Sequence, residues 1–197
     1  FNSLLSNETG ARNVAVGKDC LKVNTASENT AVGNRAMDAN TTGSYSVGVG
    51  NDALGANTTG NNNTAVGADS LRTNTGGGNN TALGSSALYT NTANDNTAVG
   101  RHSLLNNSTG TRNTAVGHQS MDNNTTGNYN VAVGSNQCLG AITTNSYNVA
   151  IGDGAHSQSA ASFTTAVGQA ALYSNAINGS IFRNNNSGCL VSLHHNS

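Results

Sequence analysis

The sequence predicts an all-β chain, a parallel β-solenoid of about ten coils with 16–18 residues each. The pentapeptide Asn-Thr-Ala-Val-Gly occurs at residues 29–33, 63–67, 96–100 and 113–117, and close variants fill the intervals. The glycines that close these units recur in steps of 16 or 17 residues, with one step of 18: Gly17, Gly33, Gly50, Gly67, Gly84, Gly100, Gly117, Gly134, Gly152 and Gly168. A period this short and regular is typical of a solenoid, whose coils bury their apolar face on one another.

The composition excludes several classes of protein. Only 9% of the 197 residues are charged, which argues against a solvated disordered tail. A net charge of −1 gives no electrostatic basis for a nucleic-acid or membrane-surface partner. No apolar run approaches the roughly 18 residues of a membrane span, and no signal peptide is visible. We therefore expect neither nucleic-acid binding nor membrane insertion.

The two ends of the chain differ from its middle. Residues 1–10 (FNSLLSNETG) match residues 101–110 (RHSLLNNSTG), the second half of a coil. We expect a repeat domain at residues 1–179 that starts in mid-coil, within a fragment or processed product that has further coils upstream. Residues 180–197 lack the pentapeptide and are expected to form a cap, a tail or a connector, with a tail or connector favoured.

Each strand is expected within the pentapeptide. Side chains alternate across a strand, so the residue before the glycine shares one face with the Thr or Val two places earlier. That residue is always aliphatic, and we expect this column to line the interior: Val16, Val32, Val49, Val66, Leu83, Val99, Val116, Val133, Ile151 and Val167. The opposite face carries Ala15, Ala31, Ala65, Ala82, Ala98, Ala115, Ala132, Ala150 and Ala166, with Gly48 as the exception. A column of such small residues predicts that another surface, here a second chain, comes close.

A second apolar column follows four residues after each glycine. Its members are Leu21, Met37, Leu54, Leu71, Leu88, Leu104, Met121, Cys138 and Leu172, with His156 as the polar member and Ala155 beside it. We expect this column to close the coil from a second short strand. A turn follows at residues 40–43, 57–60, 107–110 and 124–127, where Gly and Asn accept a positive φ. One extra residue is expected within residues 138–147, and residues 157–163 lack the turn motif.

Asparagine opens the pentapeptide in eight of the ten units. Stacked at strand spacing, these amides are expected to hydrogen-bond along the solenoid, as Asn ladders do in cross-β stacks. Turn asparagines such as Asn40, Asn57, Asn107 and Asn124 also lie in Asn-x-Ser/Thr motifs, which are weak indications of glycosylation in a chain this rich in Asn and Thr.

No motif predicts an enzyme, a cofactor site or a metal site. The loop carboxylates Asp19, Asp38, Asp52, Asp69 and Asp122 are scattered, and the dense Gly-Gly-x-Gly-x-Asp pattern of calcium-binding β-rolls is absent. Residues 76–78 are three glycines without a following Lys, which predicts a turn and not a phosphate loop. Ser, His and Asp occur without the context of a catalytic triad.

The histidines and cysteines also favour structural roles. His102, His118 and His156 lie in separate loops and His194 and His195 lie near the end, so solvated side chains are expected. Cys20, Cys138 and Cys189 form an odd, scattered set without a CxxC pair. Buried free thiols are favoured over a disulfide or a metal site.

The repeats resemble two groups of fibrous proteins. The units at residues 13–17, 130–134 and 148–152 resemble the head repeat of YadA-type trimeric autotransporter adhesins. The longer unit Asn-Thr-Ala-Val-Gly-x-x-Ala/Ser-Leu-x-x-Asn-Thr-Thr-Gly is similar to repeats of phage and large-virus tail fibres, many of which end in a self-cleaving intramolecular chaperone domain. The resemblance spans residues 1–179, although the coils are longer than those of the adhesins and neither a coiled-coil stalk nor a chaperone domain is seen. It implies a left-handed β-roll, a homotrimer, an extracellular place on a virion or cell surface, and a host receptor or glycan as partner.

Three functions follow from these features. The first hypothesis is a structural or adhesive fibre protein, a trimeric solenoid that presents loops for attachment. The alternative is a monomeric ice- or carbohydrate-binding solenoid that uses a ladder of Thr30, Thr64, Thr81, Thr97, Thr114 and Thr165. Against it, Val14, Val47, Val131 and Val149 interrupt the ladder, which also shares a face with the valines expected in the core.

A hexapeptide acyltransferase is the third reading, from the single match Ile-Gly-Asp-Gly-Ala-His at residues 151–156. It is disfavoured because that fold needs an aliphatic residue about every six positions, three per coil, whereas this chain has two strong aliphatic positions per coil. Oligomeric state, measured by light scattering, separates the first two functions.

Overall fold

The computed structural model describes residues 2–157, 161–172, 181–185 and 188–192, the last two stretches for their backbone alone. It confirms the parallel β-solenoid, with one three-residue strand in each coil of about 17 residues. The strands stack in parallel and in register, so that Val16 lies beside Val32 and Ala98 beside Ala115. They are β1 (Val14–Val16), β2 (Thr30–Val32), β3 (Val47–Val49), β4 (Thr64–Val66), β5 (Thr81–Leu83), β6 (Thr97–Val99), β7 (Thr114–Val116), β8 (Val131–Val133), β9 (Val149–Ile151) and β10 (Thr165–Val167).

Both ends of the described chain stack on the same column of coils. Residues 2–10 lie on the second half of the following coil, where the Leu4 N–H donates to the Cys20 carbonyl (3.0 Å). Beyond β10, strand β11 (Ile181–Asn185) pairs in parallel with β10, and β12 (Gly188–Ser192) returns antiparallel to β11. Among the described residues there is no helix with the length and apolar character needed to cross a membrane.

The expectation that the valines line the interior is wrong. Ala31, Ala98 and Ala115 are fully buried, whereas Val16 is 58% exposed and Val116 is 36% exposed. The strands alternate as expected, but the Asn and Ala face inward while the Thr and Val face outward. The expectation that a second chain lies against the alanine column is wrong for the same reason.

The alanines are small because the coil itself fills the space behind them. A Cβ placed on Gly48, which takes the alanine position in its coil, would lie 2.9 Å from Met37 Cγ. Several coils further along the solenoid, Ser103 Oγ donates to the Ala115 carbonyl across the interior (3.1 Å). The interior is therefore one side chain deep, and long side chains from the other wall leave room only for a methyl group on the strand.

That other wall consists of turns, so the expectation of a second short strand is wrong within the described residues. Leu54, Leu71 and Leu104 are fully buried there with φ values of 52°, 49° and 50°. Their backbone groups still bond between coils, as where the Leu54 N–H donates to the Ser70 carbonyl (3.0 Å). Large side chains rarely adopt this left-handed conformation, which costs about 1–2 kcal/mol per residue. Burial of the leucine side chains offsets that cost.

The coil that begins after Gly134 corrects one member of the leucine column. The Met121 N–H donates to the Cys138 carbonyl (2.9 Å), as the Leu104 N–H does to the Ser120 carbonyl (3.0 Å), so Cys138 takes the small-residue position. Leu139, fully buried with a φ of 55°, takes the leucine position that was expected for Cys138. The extra residue therefore lies between Gly134 and Cys138, not within residues 138–147.

The closing glycine is required by the close approach of successive coils. Gly100 has a φ of 127°, which side-chain-bearing residues rarely adopt. A Cβ there would lie 2.5 Å from the Gly117 carbonyl oxygen of the next coil. The 16–18-residue period is thus fixed by backbone packing as well as by the apolar columns.

Two columns of buried asparagine join the coils. In the pentapeptide column the amide oxygen of one coil accepts from the backbone N–H of the next, as between Asn96 and the Asn113 N–H (3.0 Å). The expected bonding along the solenoid is present, but its donor is the backbone N–H of the next coil, joined at Asn148 by a side-chain amide that donates to Asn130 Oδ1 (3.0 Å). The turn asparagines form the amide-to-amide ladder instead: Nδ2 of Asn57 donates to Oδ1 of Asn40 (2.8 Å), and Nδ2 of Asn74 to Oδ1 of Asn57 (3.0 Å).

Candidate functional site: the two outer surfaces

The first outer surface is the face of the sheet that carries the first and third residue of each strand, which we name the Thr–Val face. Its two columns run through all ten parallel strands, β1 to β10. Neither column contains a charged residue, and the third position is aliphatic throughout. Val66, Val133 and Val167 each keep about two-fifths of their surface exposed. A continuous, partly exposed aliphatic column of this kind is a candidate interaction surface.

The threonines expected to form a ladder lie on this same face. Thr64, Thr81 and Thr97 pair in register on successive strands. Because the adjacent valines point to solvent and not to the core, the ladder does not compete with core packing. The register places like side chains about 4.8 Å apart along the solenoid.

The second outer surface, the turn side, comprises the outward-facing residues among those one to six places after each closing glycine. In contrast to the Thr–Val face it carries charges, and their identity changes from coil to coil. Arg35 Nη2 lies 2.9 Å from Asp52 Oδ1, and Arg35 Nε lies 3.5 Å from Asp38 Oδ2. Arg72 Nη1 lies 3.3 Å from Asp69 Oδ1. Three of the carboxylates that looked scattered in the sequence are thus paired with arginines: Asp38 and Asp69 within their own coils and Asp52 with the preceding coil.

His102 and His118 lie on the turn side of successive coils with their ring centroids 6.5 Å apart. Burial and the nearby Arg101 lower the pKa of His102. Burial raises the pKa of Asp122, which lies near both rings. Within the described residues, no three His, Cys, Asp or Glu side chains lie close enough together to hold a metal ion. His194 and His195 fall outside the described residues.

His156 is fully buried, so the expectation that it is solvated is wrong. It takes the leucine position of its coil, and its Nε2 lies 2.7 Å from Thr164 Oγ1. Thr164 donates its only hydroxyl proton to Asn148 Oδ1 (2.6 Å), so it must accept from a protonated Nε2. Nδ1 has no hydrogen-bond partner, and burial lowers the pKa of the ring. The neutral Nε2–H tautomer therefore fits this site.

Cys20 and Cys138 are buried free thiols, as the sequence predicted. Burial raises the pKa of the Cys138 thiol to about 11, so it remains protonated and unreactive at neutral pH. The side chain of Cys189 lies outside the described residues.

Sequence reasoning missed an aromatic stack at the position before the pentapeptide. The rings of Tyr129, Tyr147 and Phe163 lie parallel, with 5.0 Å between successive centroids. The guanidinium of Arg112 covers the end of the stack, 5.3 Å from the Tyr129 ring centroid. The recurrence of an aromatic residue at one position in three successive coils was the available signal.

The turn asparagines are inaccessible for glycosylation in the folded coil. Asn40, Asn57, Asn107 and Asn124 are fully buried, and each Nδ2 donates to the carbonyl of the glycine three residues later. Attachment of a glycan to Nδ2 would break these bonds. Their role is to hold the turns together.

Comparison with known proteins gives no family model that matches the chain and no significant match among curated proteins or solved structures.

Proposed function

We propose that this chain is a structural and adhesive fibre protein, in which copies of the chain lie side by side along their Thr–Val faces. The observation that carries the proposal is the uncharged aliphatic column on all ten parallel strands, of which seven members are exposed and three are half-buried. While this column contacts water it contributes no hydrophobic stabilisation. A surface that covers it would remove its apolar area from water and so stabilise the assembly.

A second copy of the chain is the occupant that fits this face. An uncharged, straight and repetitive face is complementary to itself, because no residue on it is repelled by its equivalent in another copy. The net charge of −1 adds little long-range repulsion between copies. Three copies is the number implied by the resemblance of the repeats to adhesin heads and tail fibres. In that arrangement the turn sides stay outermost, at the surface of a virion or cell, where they are free for attachment.

Sedimentation velocity tests this proposal. The wild type is expected to sediment as a trimer, and the double variant Val99→Lys/Val116→Lys as a monomer, because each lysine places a charge in the covered column. The matched control Ala68→Lys/Asn106→Lys adds the same charge at exposed positions off the strands and is expected to stay trimeric. A wild type that is monomeric at micromolar concentration would contradict the proposal.

A monomeric ice- or carbohydrate-binding solenoid is the second candidate. The specific observation in its favour is that the Thr and Val columns both face outward in a regular array. In that case the wild type sediments as a monomer and shows thermal hysteresis, and Thr97→Tyr abolishes the hysteresis.

A further inference from the structure

A groove on the turn side lies at Gly55. The position five residues after the closing glycine carries a side chain in six of the coils from Gly17 to Gly134: Lys22, Asp38, Arg72, Tyr89, Leu105 and Asp122. Gly55 lacks one, and so does Gly140, which takes this position in the coil with the extra residue. At Gly55 the groove opens, bounded by Asp38 on one side and Arg72 on the other, with Ala39 and Ala56 adding little bulk.

The fold does not require a glycine at this position. The φ of Gly55 lies outside the left-handed region, and the nearest atom to an added Cβ is the Asp52 carbonyl oxygen at 3.2 Å. Gly50 of the same coil is different, since its φ is 137° and its Cβ would lie 2.6 Å from the Gly67 carbonyl. The coil thus depends on glycine at 50, whereas the missing side chain at 55 serves the groove.

The polar groups beside the groove are held in place by their neighbours. Arg72 is fixed by Asp69 (3.3 Å) and by Tyr89, whose hydroxyl lies 3.3 Å from Nη1 and whose ring centroid lies 5.9 Å from Cζ. On the other side, Arg35 bridges Asp38 and Asp52.

Asp38 presents one oxygen to the groove. Its Oδ2 is paired with Arg35, while Oδ1 lies 3.6 Å from the place that a Gly55 Cβ would occupy. Burial raises the pKa of Asp38, which is consistent with a carboxylate that has lost part of its hydration.

We propose that this groove binds one residue of a neutral carbohydrate, with Asp38 accepting from a sugar hydroxyl and Arg72 donating to a neighbouring one. A carboxylate only accepts hydrogen bonds and a guanidinium only donates them, so together they match the two roles of adjacent hydroxyl groups. Pockets with a few fixed polar groups around a shaped gap are typical ligand sites. The inference rests on the proposed adhesive function and names its ligand class and its site.

The charge balance selects a neutral sugar. Arg35 and Arg72 are each already paired with carboxylates, so the groove has no surplus positive charge for a phosphate, sulfate or sialic acid. An anionic group would also face Asp38. The carboxylates beside the groove are each already paired with a guanidinium, and among the described residues no three acidic, His or Cys side chains converge to hold a metal ion.

A glycan microarray printed with neutral and sialylated oligosaccharides tests the proposal with the full chain. Wild type is expected to bind neutral glycans. Gly55→Tyr fills the groove with a tyrosine, a side chain that the fold already accepts at the equivalent position, Tyr89. At least a tenfold loss of binding is expected. Asp38→Asn keeps the size but replaces an acceptor oxygen, and at least a threefold loss is expected. The control Leu105→Tyr makes the matched change in the same column away from the groove and is expected to bind as wild type.

Sedimentation of the same samples separates this proposal from the fibre function. Trimers that bind no neutral glycan, that bind only sialylated glycans, or that bind equally well after Gly55→Tyr and Asp38→Asn would overturn the groove and leave the fibre standing. Monomers whose neutral-glycan binding is lost with Gly55→Tyr would support the groove and overturn the fibre.

Discussion

The Thr–Val face and the turn side belong to the same coils but differ in how the sequence varies along them. The face repeats Thr or Val, then Ala or Gly, then an aliphatic residue on every parallel strand, without a charge. On the turn side, the position five residues after the glycine changes from Lys22 through Asp38 and Gly55 to Arg72 and Tyr89. Both surfaces are held by the same inward columns, so the coil does not itself impose the difference.

The difference indicates two kinds of task. A surface with the same chemistry at every step suits another surface with the same step, and we propose a copy of the chain as that partner. A surface that changes at every coil can form one particular site at one particular height.

The largest effect is expected from a charge placed inside the coil. Ala115→Asp buries a carboxylate without a partner, and a loss of about 3–5 kcal/mol in the free energy of unfolding is expected. Val116→Asp, one residue further on, points outward and is expected to cost less than about 1 kcal/mol. Thermal melting at a concentration below that of association measures both; equal losses would mean that the inward and outward faces have been assigned wrongly.

A smaller loss is expected where only a methyl group is added. Gly100→Ala forces a Cβ to 2.5 Å from a carbonyl oxygen of the next coil, and a loss of about 2–4 kcal/mol is expected. Gly55→Ala, on the turn side, is expected to stay within about 1 kcal/mol of wild type because its backbone is not left-handed. Urea unfolding of the pair measures the difference, and equal stability of the two variants would remove the argument that Gly55 serves the groove.

A smaller loss of stability again is expected when one amide of the asparagine ladder is removed. Asn57→Ala removes the bonds to Asn40 and Gly60 and the acceptor for Asn74, for a loss of about 1–3 kcal/mol. Asn106→Ala changes an exposed asparagine of the turn side and is expected to be near neutral. If both variants had the melting temperature of the wild type, the buried amides would not be stabilising the turns.

The smallest effect at neutral pH, and the one that depends on pH, is expected at His156. Because the folded state lowers the pKa of this ring, the unfolded chain takes up the proton at a higher pH than the folded chain. Stability is therefore greatest above the usual histidine pKa of about 6.5 and falls as the pH drops below it. Burial raises the pKa of Asp38 and Asp122, so the folded chain takes up these protons at a higher pH than the unfolded chain. These two carboxyl groups therefore favour the folded state as the pH falls, which opposes the effect of His156.

His156→Leu is expected to remove much of the decline between pH 7 and pH 5, because leucine occupies this position in most coils. Melting temperatures of wild type and variant at several pH values measure this. Parallel curves for the two proteins would contradict a neutral buried imidazole.

The sequence predicted the period and the position and register of the strands, because these depend on spacing alone. It did not predict which side of the strand faces inward. Alternation in Thr97-Ala98-Val99 is the same for either choice, and the decisive fact is that Leu88 and Leu104 reach across a narrow interior. Aliphatic character alone therefore pointed to the wrong side.

The remaining misses have local causes. The extra residue before Cys138 displaced the leucine position by one place, which only the hydrogen bonds between coils reveal. The groove could not be predicted, because a single glycine in a chain with 24 glycines looks like any other until its φ and its neighbours are known.

The central claim is that assembly and recognition occupy different surfaces, and one experiment tests it most directly. Sedimentation velocity with a fluorescently labelled neutral oligosaccharide, taken from those that the wild type binds on the array, reports the size of the protein and the bound sugar in the same run. We predict that Val99→Lys/Val116→Lys sediments as a monomer that still carries the sugar, and that Gly55→Tyr sediments as a trimer without it. Loss of assembly and of sugar binding together in either variant would contradict the separation of the two surfaces.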